Sequence, residues 1–355
     1  MSINYLPPVT HVIPLTTIRR ERRLPVPGTV TVRVGQKVQA ADAVAEAEIG
    51  RRHFFLDIAR GLGIPERRVA QYLAHARGDR VDAGEVIAGP VGFSRRTVRA
   101  PADGRIVAIS GGRVLLEVHG EAFGLQAGFP GTVTATDGTT VVTIETTGAL
   151  IQAVWGNGRQ DYGMMRLVGE NSGDRLQTDQ LDIDLRGAVL VAGTCDHPAP
   201  LHQATELSVR GVILGSLTSE LIPVAQRLPY PVIVTEGFGH LPINPMAYGL
   251  MRSNAGREVA LDARPAVAYD SQRPEVIIPL PAAREMNLPD DVVPIARGLR
   301  VRLLRAPHQA AVGVVREVVE EAVAFPSGIL ARCAAVDLEG IGTETVPLAN
   351  LEVLQ

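Results

Sequence analysis

Residues 186–263 read RGAVLVAGTCDHPAPLHQATELSVRGVILGSLTSELIPVAQRLPYPVIVTEGFGHLPINPMAYGLMRSNAGREVALDA. Three short apolar runs, Ala188–Ala192, Gly211–Leu214 and Pro231–Val234, alternate with segments able to form helices. Each run is too short for a helix of ordinary length and is rich in Val, Ile and Leu, the pattern of buried parallel strands joined by crossover helices. The stretch therefore predicts a small parallel three-layer α/β unit, with Val189–Ala192, Val212–Leu214 and Val232–Val234 as its strands.

Parallel strands bring their carboxyl ends to one edge, where ligands bind in sheets of this class. The loops at that edge are Gly193–His197, Gly215–Ser219 and Thr235–His240. Cys195, Asp196, His197, Glu236 and His240 are the ligand or metal candidates, being metal-ligand types with a possible nucleophile–base pair. The competing reading is structural: Cys195 fills a pocket, Asp196 caps the helix that Pro198 opens, and the histidines are incidental. No CxxC, HExxH, GxGxxG or GxxxxGK[ST] motif accompanies them, so neither a dinucleotide nor a P-loop site is indicated.

Both flanks read as β structure. Residues 1–23 are Pro-rich, then basic at Arg19, Arg20, Arg22 and Arg23, and predict an extended arm with one strand at Thr10–Pro14. From Leu24 an alternating strand (Val30, Val32, Val34) leads to a turn at Gly35 and then Val38. The phrase VGQKVQAADAVAEA returns as RGDRVDAGEVIAGP, predicting two related halves of one small β structure. Between the copies, residues 50–76 place Phe54, Phe55, Ile58 and Leu62, then Val69, Tyr72 and Leu73, at helical spacing, with a break at Gly61–Pro65. Two short helices with Arg51, Arg52, Arg67 and Arg68 exposed allow phosphate contact, even a helix-turn-helix, though a solvated face is the simpler reading. Arg95 and Arg96 complete the polyanion-contact candidates.

Residues 76–88 and 100–107 carry the phrases "V-x-x-G-D-x-V-x-x-G-x-x-[IL]-A" and "a-P-x-x-G-x-[IV]", and the region 24–120 resembles the biotinyl/lipoyl-like barrel-sandwich family. Carriers of that family present a lysine at a hairpin tip. The chain's single lysine, Lys37, stands in the turn before Val38, and the second copy has Arg80 in the equivalent place. The resemblance thus implies a docking or spacer use of the fold, with no prosthetic group and no cofactor.

Residues 121–185 hold alternating strands about an Asp137-Gly138 hairpin turn, followed by Trp155 beside a Gly156-Asn157-Gly158 loop, a ligand clamp or the cap of a β core. Residues 264–294 read as a Pro-containing linker. From 295 the segment with Gly298, Val301, Leu303 and Gly313-Val314-Val315 resembles a KOW-type, SH3-like barrel. Six arginines face seven acids in 294–355, so that module lacks the cationic surplus of a nucleic-acid binder and reads as a protein contact.

The whole chain has 355 residues and net charge −3, divided as +7 over 1–120 (18 basic, 11 acidic) and −10 over the rest (17 basic, 27 acidic). The asymmetry points to a polyanionic partner for the N-terminal part, or to its docking on the chain's own acidic remainder. No apolar run reaches membrane-spanning length, the first residues lack a secretory pattern, and two distant cysteines form no disulfide framework. A cytoplasmic protein is the expectation.

The fold class expected is α/β plus β in modules: an arm (1–23), a barrel-sandwich hybrid (24–120) with a helical insertion (50–76), a β segment (121–185), a Rossmann-like unit (186–263), a linker (264–294) and an SH3-like barrel (295–355). The function expected is a non-enzymatic assembly or adaptor protein with a protein partner or self-association. The alternatives are a small-molecule or metal-binding protein or hydrolase working at the strand ends, and nucleic-acid binding through the basic N-terminal region.

Overall fold

The basic N-terminal segment is built into a sheet. It forms β1 (Val9–Thr10) and β2 (Val12–Arg23) in the computed structural model, which describes residues 6–50, 52–118, 120–265, 273–281 and 287–355. This corrects the arm reading. Strand alternation puts Ile18, Arg20 and Arg22 on one face, and Arg19, Glu21 and Arg23 on the other. The arginines find carboxylates across the sheet: Arg19 meets Glu145 at 2.7 Å and Arg20 meets Glu275 at 2.6 Å. Part of the positive N-terminal charge is therefore neutralised within the chain.

The next strands are β3 (Thr29–Val30), β4 (Lys37–Val38) and β5 (Ala43–Ile49). The chain then leaves this unit to build β6 (Arg52–Asp57), α1 (Ile58–Leu62), α2 (Glu66–Val69), β7 (Arg80–Val81), β8 (Val86–Val91), β9 (Arg96–Arg99), β10 (Gly104–Ser110) and β11 (Arg113–Val118). It returns with β12 (Glu121–Gln126), which pairs β5, and β13 (Gly131–Thr136), which pairs β4. Strand pairing thus crosses the boundaries expected at 23 and 120.

The repeated phrase occupies two cores, not two halves of one. Val38, Val44 and Ala45 pack with Phe129, Val133 and Ile144, whereas Val81, Ile87 and Ala88 pack with Ile106, Val114 and Leu116. The two copies match bond for bond. Gln36 Oε1 accepts from the Arg33 N–H, and Asp79 Oδ2 from the Ala76 N–H; Asp42 Oδ2 accepts from the Gln39 N–H, and Glu85 Oε2 from the Asp82 N–H. Gly131 and Gly104 are also equivalent: a Cβ would lie 2.5 Å from the Glu145 carbonyl oxygen in one and 2.4 Å from that of Glu117 in the other. The second unit is inserted between β5 and β12 of the first, at the end of their hairpin.

The helical reading of 50–76 holds only in part. Phe54 and Phe55 lie in β6, which pairs with β11 along six residues. The helix starts after Asp57, whose side chain accepts from the Arg60 N–H, and ends at Gly63 in the left-handed region. The two helices expected about the Gly61–Pro65 break are present as short pieces, five residues in α1 and four in α2.

Of the described residues 47% are in strands and 13% in helices, so sheet topology rather than helix packing organises them. Its largest sheet, curled into a half-barrel, has eleven strands. They include β14 (Val141–Gln152), β15 (Trp155–Gly156), β16 (Gln160–Leu167), β17 (Ala188–Cys195), β18 (Gly211–Leu217), β19 (Val232–Phe238), β20 (Glu258–Asp262) and β21 (Glu275–Pro279). The order is β15-β19-β18-β17-β16-β20-β21-β14-β13-β4, with β2 also on β14. β16 through β19 are parallel, and β18 lies between β17 and β19. Leu201 and Ala204 of α3 (Pro198–Glu206) and Ala225 of α4 (Ile222–Ala225) cover one face. Ala247 and Met251 of α5 (Pro245–Ser253), with Ile151 and Ile278, cover the other. The expected linker supplies β21, hydrogen-bonded to both β14 and β20; its residues 266–272 and 282–286 lie outside the described ones.

The last strands are β22 (Arg300–Leu303), β23 (Val312–Ala324), β24 (Leu330–Leu338), β25 (Gly342–Pro347) and β26 (Leu351–Leu354). They form a separate sheet around Val301, Val315, Val336, Leu351 and Val353. β1 joins this sheet beside β26, so the two ends of the chain are stitched together.

Candidate functional site

The loops that carry the strand-end candidates share one edge of the parallel sheet, and Cys195, Asp196, His197 and Glu236 are engaged by groups of the chain itself. Because β18 separates β17 from β19, the backbones carrying Cys195 and Glu236 are about 10 Å apart, at about 4.8 Å per strand. Cys195 is fully buried, its Sγ 3.3 Å from the His197 carbonyl oxygen. Burial pushes its thiol up to about 11, which keeps it protonated and poorly nucleophilic at neutral pH. Asp196 is 3.0 Å from Arg175. The cap of α3 is His197, not Asp196: its Nδ1 accepts from the Ala199 N–H at 3.2 Å. His240 is exposed. Among the described residues no group of three or more His, Cys, Asp or Glu side chains is placed to hold a metal ion.

Glu236 belongs to a buried ionic cluster that the sequence did not disclose. Its Oε2 accepts from Arg302 Nη1 at 2.6 Å, and its Oε1 from Asn244 N and Nδ2 at 3.1 and 2.7 Å. Arg302 also donates to Glu352 through Nε at 3.0 Å and Nη2 at 2.5 Å. Arg273 and Thr10 donate to the other oxygen of Glu352. The cluster thus locks the C-terminal sheet and β1 onto the carboxyl edge of the parallel strands. Burial alone would raise the Glu352 carboxyl; Arg302, Thr10 and Arg273 outweigh it and hold the group below its ordinary value.

The Trp155 loop is likewise structural. Asn157 Nδ2 donates to the Ala225 and Tyr230 carbonyls at 3.0 and 2.9 Å, and its Oδ1 accepts from the Val232 N–H at 3.1 Å. Trp155 packs on the core below α3 and α4 and meets Phe238 edge-on at 6.0 Å.

The arginine candidates sit on separate elements of the inserted unit. Arg52 is on β6, Arg67 and Arg68 on α2, and Arg95 and Arg96 at the β8–β9 hairpin; all are exposed, and Arg51 lies outside the described residues. Arg68 stacks on Tyr72 at 5.9 Å. Lys37 is in β4, paired with Thr132 of β13.

Apolar exposure is what marks this inserted unit. β6 is the open edge of its sheet, in the order β6-β11-β10-β7. Phe55 on that edge is 76% exposed and Phe54 beside it 37%. Phe93, at the tip of the β8–β9 hairpin, is fully exposed. Sequence periodicity hid the edge, because Phe54 and Phe55 also fit the helical register with Ile58 and Leu62.

No protein-family model matches the chain, and no curated protein is similar to it.

Proposed function

We propose that the protein is a non-enzymatic assembly protein that self-associates through the open edge of its inserted unit. The observation that carries this is β6, an edge strand that among the described residues pairs with β11 alone and bears two exposed phenylalanines, the arrangement that natural sheets ordinarily avoid unless the edge is used. The barrel-sandwich resemblance of 24–120 draws support from the matched turns of its two copies, though these lie in separate cores, and the SH3-like reading of the last unit from its antiparallel β22–β25 meander. Both are folds suited to docking.

The edge is also self-complementary. In a symmetric antiparallel pair, residues directly opposite must turn their N–H and C=O groups the same way, so the two-fold axis passes beside a residue facing its own copy. Centring on Phe55 sets Phe55 against Phe55, Phe54 against Leu56, and His53 against Asp57 of the second copy. Centring on Phe54 would set His53 against Phe55 and Arg52 against Leu56, placing polar groups opposite apolar ones.

The strand-end hydrolase reading has less support, since Cys195 and Glu236 are engaged inside the fold. Nucleic-acid binding also has less, since Arg19 and Arg20 are paired within the chain and the remaining candidates are spread over separate elements.

The test is light scattering coupled to size exclusion over a concentration series. The wild-type chain should pass from monomer to dimer, and Phe55→Lys, which places like charges face to face at the axis, should stay monomeric. A wild-type monomer at every concentration, or a Phe55→Lys dimer as tight as wild type, would refute the proposal.

A further inference from the structure

A recessed cavity of about 60 Å³ lies where the first β unit meets the curled sheet. Arg20 and Arg22 of β2 and Tyr162 of β16 line its walls, and Gln126, Gly128 and Phe129 roof it. At about 10–15 Å³ of such space per water, it has room for about four waters, or one oxyanion of about four or five heavy atoms.

The carboxylates facing the cavity are each matched by an arginine, and one arginine is left over. Glu275 takes two N–H bonds from Arg20, at 2.6 and 2.7 Å. Asp262 takes Arg264 at 2.6 Å and Gln160 at 2.7 Å. Asp161 has Arg210 at 3.4 Å. Arg22 has no carboxylate in ion-pair range among the described residues. Its Nε donates to the Gln126 carbonyl at 3.2 Å, while Nη1 and Nη2 make no hydrogen bond there.

Its guanidinium lies against Gly128, where a Cβ would be 3.3 Å from Cζ, so the glycine leaves room for it. Burial pushes its pKa down from the ordinary value, yet a guanidinium remains charged at neutral pH. Arg22 is partly exposed, and its two parallel terminal nitrogens, which have no protein acceptor among the described residues, are open to an anion that enters the cavity. The Tyr162 hydroxyl, on the cavity wall, likewise makes no hydrogen bond among the described residues.

We infer that this cavity is a binding site for a small oxyanion, a carboxylate of about two carbons or inorganic phosphate, held by the two terminal nitrogens of Arg22 with Tyr162 as a further donor. Occupancy would tie β2 of the curled sheet to the roof supplied by the first β unit. The inference does not depend on self-association at β6.

Isothermal titration calorimetry of the full chain, with sodium acetate and sodium phosphate in separate arms at constant ionic strength set by chloride, tests it. Saturable binding of one equivalent is expected in at least one arm, and the arm that responds identifies the ligand chemistry. Arg22→Met should weaken that binding by roughly tenfold or more, the scale of a charge-assisted hydrogen bond. Arg22→Lys, which keeps the charge and loses the fork, and Tyr162→Phe, which removes only a hydroxyl, should each weaken it by a smaller factor. No saturable binding in either arm overturns the inference. So does undiminished binding in folded Arg22→Met, or, if that variant does not fold, in both Arg22→Lys and Tyr162→Phe.

Discussion

Replacing Arg302 by methionine would remove the one cation that Glu236 and Glu352 share. All three side chains are at most 3% exposed, so the two carboxylates could not turn to water without opening the seam between the C-terminal sheet and the parallel strands. Arg273 and Thr10 would still serve Glu352, and Asn244 would still serve Glu236, but the bridge between them would be gone. Removing one partner of a buried pair costs about 3–5 kcal/mol, chiefly from the charge left behind. With a urea slope near ~2 kcal/mol per M, that loss moves a denaturation midpoint down by about 1.5–2.5 M. The assay is urea unfolding of wild type, Arg302→Met, and the triple variant Arg302→Met with Glu236→Gln and Glu352→Gln. The triple variant should recover a large part of the loss, because it leaves no unpaired charge. The acid side follows from the depressed Glu352. Its contribution is fully present above the unfolded carboxyl value of about 4.3 and disappears as pH falls through the lower folded value, so the gap between wild type and Glu352→Gln should close below about pH 4. An Arg302→Met midpoint within about 0.3 M of wild type, well under the shift the slope predicts, would refute this account of the seam.

Two further outcomes follow from the geometry. Cys195, held up to about 11 by burial, should resist a thiol reagent at pH 7.5 in the native protein and react once urea unfolds it; stoichiometric native labelling of Cys195 would contradict the structure. Asn157→Ala strips three hydrogen bonds from the Ala225, Tyr230 and Val232 backbones and should lower stability by about 2–3 kcal/mol in the same urea assay; a neutral effect would mean that water replaces them.

The parallel strands were legible because Val, Ile and Leu in runs bounded by helix-forming segments have few other ways to be buried. The hairpin at Asp137-Gly138 was legible because a left-handed glycine marks its turn. The repeat was visible as well, since turn residues such as Gln36 and Asp79 must recur at fixed offsets to close the same loop. What local pattern does not contain is partner choice. Phe54 and Phe55 satisfy helical spacing, yet β11 offers them a strand to pair with, and tertiary pairing overrides the local preference. Glu236 and Cys195 looked like chemistry at a sheet edge until Arg302, arriving from 66 residues downstream, took the carboxylate, and packing took the thiol. Whether Arg22 has a counter-ion depends on where Asp161, Asp262 and Glu275 fall in three other strands, a matter of register across the sheet. Sequence determines which residues seek burial and where turns close; only the tertiary structure decides which charges meet, because ion pairing acts between groups whose separation along the chain carries no information about their separation in space.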